Sequence, residues 1–163
     1  MAIAKTLINY LDERGIDYEL VEHAHTATAA ASAHQAHVPV HQVAKAVVLR
    51  DADGYVVSFL PANHSLEIQW VNDELGRQLE MAGESEFKKL FTDCEEGAVP
   101  AIADAYGIQV IWDDELAYTA DIYIEAGDHE HLIWLERRDF RKLMKSLPHT
   151  IISKDSEVGC WKY

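Results

Sequence analysis

The sequence predicts a single α+β domain. Segments with helical spacing of apolar residues mix with short β-branched runs. Several of those runs are joined by tight turns, as antiparallel hairpins are. No repeat, low-complexity tract or linker divides the 163 residues, so one domain spanning 1–163 is expected. The tail 148–163 is given no element.

The first helix is carried by Ile3, Leu7, Ile8 and Leu11, and Gly15 is its natural stop. A strand is expected over Tyr18–Glu22. Thr26 and Thr28 then precede an alanine-rich helix running to His37, and Pro39 closes it. Strands Val43–Arg50 and Tyr55–Leu60 flank Asp51-Ala52-Asp53-Gly54, a hairpin turn. Leu66–Met81 is helical in its centre, and Glu84–Phe91 is a short helix with Phe87, Leu90 and Phe91 inward. The 93–100 segment is irregular. Strands follow at Ile108–Trp112, Ile122–Glu125 and Leu132–Leu135, the last two joined around Gly127-Asp128. A final helix covers 138–147, with Phe140, Leu143, Met144 and Leu147 inward and Arg138, Arg141, Lys142 and Lys145 outward.

Composition narrows function. Fourteen Lys and Arg against 28 Asp and Glu give a net charge of −14, which opposes non-specific binding to nucleic acid, DNA included. No cation occurs from Phe91 to Glu136, after which Arg137, Arg138, Arg141, Lys142 and Lys145 arrive together as a local basic stripe able to meet a phosphate. Apolar runs are too short to span a bilayer, and the N-terminus lacks a signal-peptide pattern. Cys94 and Cys160 are far apart and form no Cys-x-x-Cys motif, so reduced thiols and a cytoplasmic location are expected.

Lys45 is the most informative residue. It interrupts the apolar run Val43-Ala44-Lys45-Ala46-Val47-Val48-Leu49 on the face shared by Val43, Val47 and Leu49. Lysine is almost never fully buried without a partner. Either its amine escapes to water along its stem, or it lines a pocket that uses it. The other candidates are weaker. His23, His25, His34, His37 and His41 form no zinc motif, since Pro39 breaks the helical spacing and no cysteine joins them, so no metal or other cofactor is expected. His129 and His131 read from spacing as a solvated hairpin, the alternative being that His129 reaches a site. Cys94 sits among Asp93, Glu95 and Glu96, a field that disfavours the thiolate. Gly97-Ala98-Val99-Pro100 is a backbone loop. No nucleophile elbow, P-loop or dinucleotide fingerprint occurs.

Taken in order, four stretches resemble the YbaK/prolyl-tRNA synthetase-associated domain family: residues 42–49, residues 54–62, residues 91–100 and residues 122–129. The resemblance runs from about Ile3 to Leu147. It implies a compact α+β fold on a mixed, partly barrel-like sheet with surrounding helices. It also implies editing in trans: hydrolysis of the ester joining a wrong amino acid to tRNA, with alanyl- or cysteinyl-tRNA(Pro)-like substrates. Lys45 matches the family's strand lysine, and Gly97 with Ala98, Val99, Pro100 and Ala101 matches its pocket loop. Asp128 and His129 fall at the substrate. Arg138, Arg141, Lys142 and Lys145 would contact tRNA phosphates. The implied partners are the 3′ end of mischarged tRNA and an aminoacyl-tRNA synthetase. The chain departs from the family at Ala101, Ile102 and Ala103, where relatives carry a second proline, an aromatic and a glycine. That departure, with the acidic surface, leaves a second reading: a non-catalytic module of the same fold that binds a small acylated ligand or a protein.

Overall fold

The structure, a computed structural model, describes residues 3–156. Cys160, Trp161 and Tyr163 lie outside the described residues. The described residues form five helices: α1 (Lys5–Glu13), α2 (Ala29–Gln35), α3 (Ile68–Leu75), α4 (Glu84–Phe87) and α5 (Arg137–Met144). They also form ten strands: β1 (Glu19–Glu22), β2 (Val43–Asp51), β3 (Gly54–Pro61), β4 (His64–Leu66), β5 (Glu80–Met81), β6 (Gln109–Asp113), β7 (Asp121–Glu125), β8 (His131–Glu136), β9 (His149–Thr150) and β10 (Ser153–Asp155).

The main sheet runs β1-β8-β7-β2-β3-β6-β9, with β5 added against β2; β4 and β10 form a separate two-stranded ribbon. The sheet is mixed. The β2–β3 and β7–β8 hairpins are antiparallel, whereas β2–β7, β3–β6 and β6–β9 are parallel. Strand alternation sends Ala44, Val48, Val57, Phe59, Val110, Trp112, Ile122, Ile124, Ile133 and Leu135 to one face. There they meet Leu7 and Leu11 of α1 and Phe140, Leu143 and Met144 of α5 in the main core. The opposite face carries two smaller clusters. Leu49, Val56 and Ile111 pack under Val71 of α3, while Val43, Ala62 and Leu132 pack under Ala33 of α2.

Local chemistry explains the ends of the elements. Thr28 caps α2, its hydroxyl accepting from Ala31 N–H at 3.1 Å. The helix stops two residues before the expected His37, which takes a left-handed φ of 59° while Val38 N–H closes back on the Ala33 carbonyl. Asp93 accepts the Thr6 amide at 2.8 Å and so satisfies the first turn of α1 from 87 residues away. The expected helix 84–91 ends at Phe87 and continues as turns. Gly127, at φ 108°, is required outright: a Cβ there would stand 2.8 Å from Ala4 Cβ and 3.2 Å from Cys94 Sγ. This close approach brings α1, the 94–97 loop and the β7–β8 turn together.

Candidate active site

A cavity of about 190 Å³ opens where α2, β2, the Gly97 loop and the β7–β8 turn converge. Its walls include Thr28 and Ser32 from α2, Lys45 from β2, Gly97 and Val99 from the loop, and Glu125, His129 and Leu132 from the hairpin. Lys45 shares its sheet face with Val43 and Val47, which belong to the two smaller apolar clusters, and lines the cavity together with Ser32 of α2. The amine is half-buried and has no ion-pair partner among the described residues. Burial alone lowers its proton affinity below that of an ordinary lysine. The site therefore holds a partly desolvated cation with unused donors, suited to a phosphate, hydroxyl or ester oxygen.

The opposite wall is built from backbone. Gly97 takes φ 81°, which favours glycine, and a Cβ at this position would face the His129 ring at 3.7 Å. Glu95 N–H donates to the Gly127 carbonyl and Ala98 N–H to the Glu95 carbonyl, both within 3 Å, so the Ala98 donor is consumed inside the turn. The N–H groups of Gly97 and Val99 make no internal hydrogen bond among the described residues. They are the donors available to an oxygen in the cavity.

Glu125, at the end of β7, organises the third wall. Its Oε2 accepts the amides of Gly127, Asp128 and His129 at 2.8, 3.2 and 3.2 Å. These three bonds hold His129 at a left-handed φ of 62°. His129 is buried rather than solvated, and its Nε2 stands 2.7 Å from the Glu96 carbonyl, so Nε2 carries the hydrogen. Nδ1 lies 4.0 Å from Glu125 Oε1. The His25 ring sits 5.2 Å from that of His129 and 3.9 Å from the Glu95 carboxylate.

Lys45, Gly97, Val99 and His129 are thus brought together. Ala98, Pro100, Ala101 and Asp128 are buried and off the cavity wall. Ala101, Ile102 and Ala103 are fully enclosed in the main core and do not line the cavity. Asp128 serves the turn, accepting the Glu130 and His131 amides and lying 2.7 Å from His131 Nδ1. Glu125, Thr28 and Ser32 were invisible in the sequence as site residues. A strand-end glutamate in an acidic chain looks solvated, and the Gly127-Asp128 turn after it gives no sign in the sequence that three of its amides need an acceptor.

Cys94 is no nucleophile: burial, opposed by its Tyr106 contact and helped by Asp93 and Glu125, pushes its thiol up to about 12. Among the described residues no cluster of histidine, cysteine and carboxylate could hold a metal, and no helix is long and apolar enough to cross a membrane. The basic residues of α5 lie elsewhere. Arg138, Arg141, Lys142 and Lys145 are exposed, at the end of the β7–β8 ribbon remote from His129.

Residues 23–143 match the model of the aminoacyl-tRNA editing domain. The chain belongs to that family. Its function is accordingly aminoacyl-tRNA editing in the general sense, and a mischarged aminoacyl-tRNA is the partner the family implies. No curated protein sequence matches the chain at a significant level. Solved structures share the fold. One, described as hypothetical protein APE2540, superposes with a TM-score of 0.81 at 20% identity over 92% of this chain and all of its own. Another, described as a candidate trans-editing enzyme for prolyl-tRNA synthetase, gives 0.80 at 19% identity over 93% of this chain and 96% of its own. A third, from Marinobacter aquaeolei VT8 and described as a candidate signal transduction protein, gives 0.75 at 17% identity, but this chain spans 30% of its length.

Proposed function

We propose that this editing domain is a deacylase that hydrolyses the ester of mischarged tRNA in trans, acting on small amino acids such as alanine or cysteine on tRNA(Pro). The observation that carries the reading is a half-buried Lys45 amine, without an ion-pair partner among the described residues, facing free backbone donors across a cavity of about 190 Å³.

An aminoacyl ester is already activated, so positioning and oxyanion stabilisation suffice. Water attacks the ester carbonyl, the carbon–oxygen bond to the ribose breaks, and the ribose oxygen leaves with a proton. The Gly97 and Val99 amides receive the developing oxyanion. Lys45 anchors the terminal adenosine through phosphate or hydroxyl oxygens, or polarises the ester. His129 donates from Nε2 to the Glu96 carbonyl, and the substrate's vicinal ribose hydroxyl takes part in moving the proton. Arg138, Arg141, Lys142 and Lys145 contact phosphates farther along the tRNA, and each such contact adds salt dependence. The domain acts beside an aminoacyl-tRNA synthetase in the cytoplasm.

A non-catalytic module would be favoured by an altered pocket loop, but the 101–103 segment is packed in the core and does not favour it. Incubation with alanyl-, cysteinyl- and prolyl-tRNA(Pro), following amino-acid release, tests the proposal. Release of alanine or cysteine with prolyl-tRNA spared supports it; release from none contradicts it.

A further inference from the structure

We propose that the outer face of the β7–β8 ribbon is a track for the unpaired 3′ strand of tRNA, with Tyr123 and Trp134 as a stacking platform between the Lys45 cavity and the arginines of α5. The inference rests on the editing reading and adds to it the route by which the RNA enters.

The register places three cross-strand pairs in succession: Glu125 with Leu132, Tyr123 with Trp134, and Asp121 with Glu136. The intervening residues Ile122, Ile124, Ile133 and Leu135 all point into the main core, so the three pairs share the opposite face. The first pair lines the cavity. Asp121, Trp134 and Glu136 line a second, wider groove of about 680 Å³ together with Arg137, Arg138 and Arg141. Successive pairs on one face are about 7 Å apart, so about 14 Å of strand separates the cavity pair from the groove pair, with the half-exposed rings of Tyr123 and Trp134 between them.

Both rings are held in place. Trp134 Nε1 donates to Asp121 Oδ1 at 2.8 Å, which fixes the indole and engages that carboxylate. Tyr123 packs at the edge of the α2 cluster, and its hydroxyl bonds no described residue. The cations beyond them are not neutralised. Arg137 donates to the carbonyls of Thr119 and Tyr118 and Arg141 to that of Ala117, while Arg138 makes a single loose ion pair of 3.9 Å with Glu136. In a chain of net charge −14, five cations at one helix without tight acidic partners among the described residues mark a surface for an anion. Glu19, opposite Trp134 in the β1 register, borders the track on its other side and turns phosphates toward α5. Aromatic platforms beside a basic groove are how proteins hold single-stranded nucleic acid without reading its sequence.

The test is fluorescence anisotropy with uncharged RNA hairpins, one ending in a single-stranded CCA overhang and one blunt, using the full chain. The overhang hairpin is expected to bind more tightly. Trp134→Ala should weaken it by about 5-fold or more and leave the blunt hairpin unaffected; with mischarged tRNA the same loss should enter KM. Arg138→Gln with Arg141→Gln, exposed changes that spare the fold, should reduce the salt slope by about 0.7–0.9 for each phosphate no longer neutralised. Trp134→Phe keeps a ring and serves where the alanine variant fails to fold, with affinity expected near wild type. Equal binding of the two hairpins, or an arginine variant with an unchanged slope, overturns the track. A wild type that binds the overhang yet deacylates nothing would sink the editing reading and leave the track standing.

Discussion

Replacing Lys45 by methionine should separate function from stability. The side-chain stem is retained and the charge removed. In the wild type the amine is half-buried without a counter-ion among the described residues, so folding pays part of its hydration. Solvent on its open side screens that cost, and the variant should be as stable as wild type or better by ~0–1 kcal/mol at pH 7. Because burial lowers the folded amine's proton affinity, the unfolded chain holds the proton more tightly. Wild-type stability therefore rises with pH between the folded value and the ordinary 10.5, and its deficit against the variant closes there. Function should move the other way. A charge-assisted contact contributes ~1.5–3 kcal/mol, which is about 10- to 150-fold in kcat/KM. Urea denaturation from pH 7 to 10 and deacylation of alanyl-tRNA(Pro) measure the two sides. A variant destabilised by more than about 1 kcal/mol, or one that keeps the wild-type rate, would refute the assignment of Lys45 as an unpaired substrate anchor.

Gly127→Ala should be destabilised by ~2–5 kcal/mol, from a strained φ and a Cβ pressed against Ala4; Gly97→Ala, with only ordinary contacts at 3.7 Å, should lose ~1–2 kcal/mol, and a larger loss for Gly97 in chemical denaturation would reverse the reasoning. Asp51 is held down to about 2 from 3.8, first by its hydrogen bonds from Arg77. A depressed carboxyl stabilises fully above 3.8 and loses that contribution as pH falls through about 2. Arg77→Met should flatten the acid limb of a stability–pH curve, and an unaltered limb would count against the pair. Cys94, with its thiol near 12, should be alkylated far more slowly at pH 8 in the native chain than in urea when followed by peptide mass spectrometry; equal rates would mean the thiol is accessible.

The long hairpins are legible in the sequence because their chemistry is local. The Asp51–Gly54 turn and the β-branched runs around it define β2 and β3, and Gly127 with its flanking strands defines β7 and β8. The short strands are not legible: β5 and β9 are two residues each and β4 and β10 three, too few to show a period of two. They exist because distant segments fall beside them, as β10 does against β4. The parallel pairs β2–β7 and β3–β6 are likewise set by packing across the core. At the site, Lys45 announces itself by its conflict with an apolar strand. Glu125 does not, because its value lies in three amides that only the folded turn presents. The acidic stretch 91–136 also reads differently once folded. Asp93, Asp104, Asp113, Glu125 and Asp128 accept internal donors, including Tyr10, Tyr106 and Ser153, and are not a free repulsive surface.

The most direct measurement is the time course of amino-acid release from alanyl- and cysteinyl-tRNA(Pro), run beside prolyl-tRNA(Pro) and a protein-free control. Release of alanine or cysteine well above the spontaneous rate, with proline retained and the gain abolished in Lys45→Met, is the predicted result. Rates equal to the control for every mischarged tRNA would contradict a deacylase built on Lys45 and the Gly97 loop.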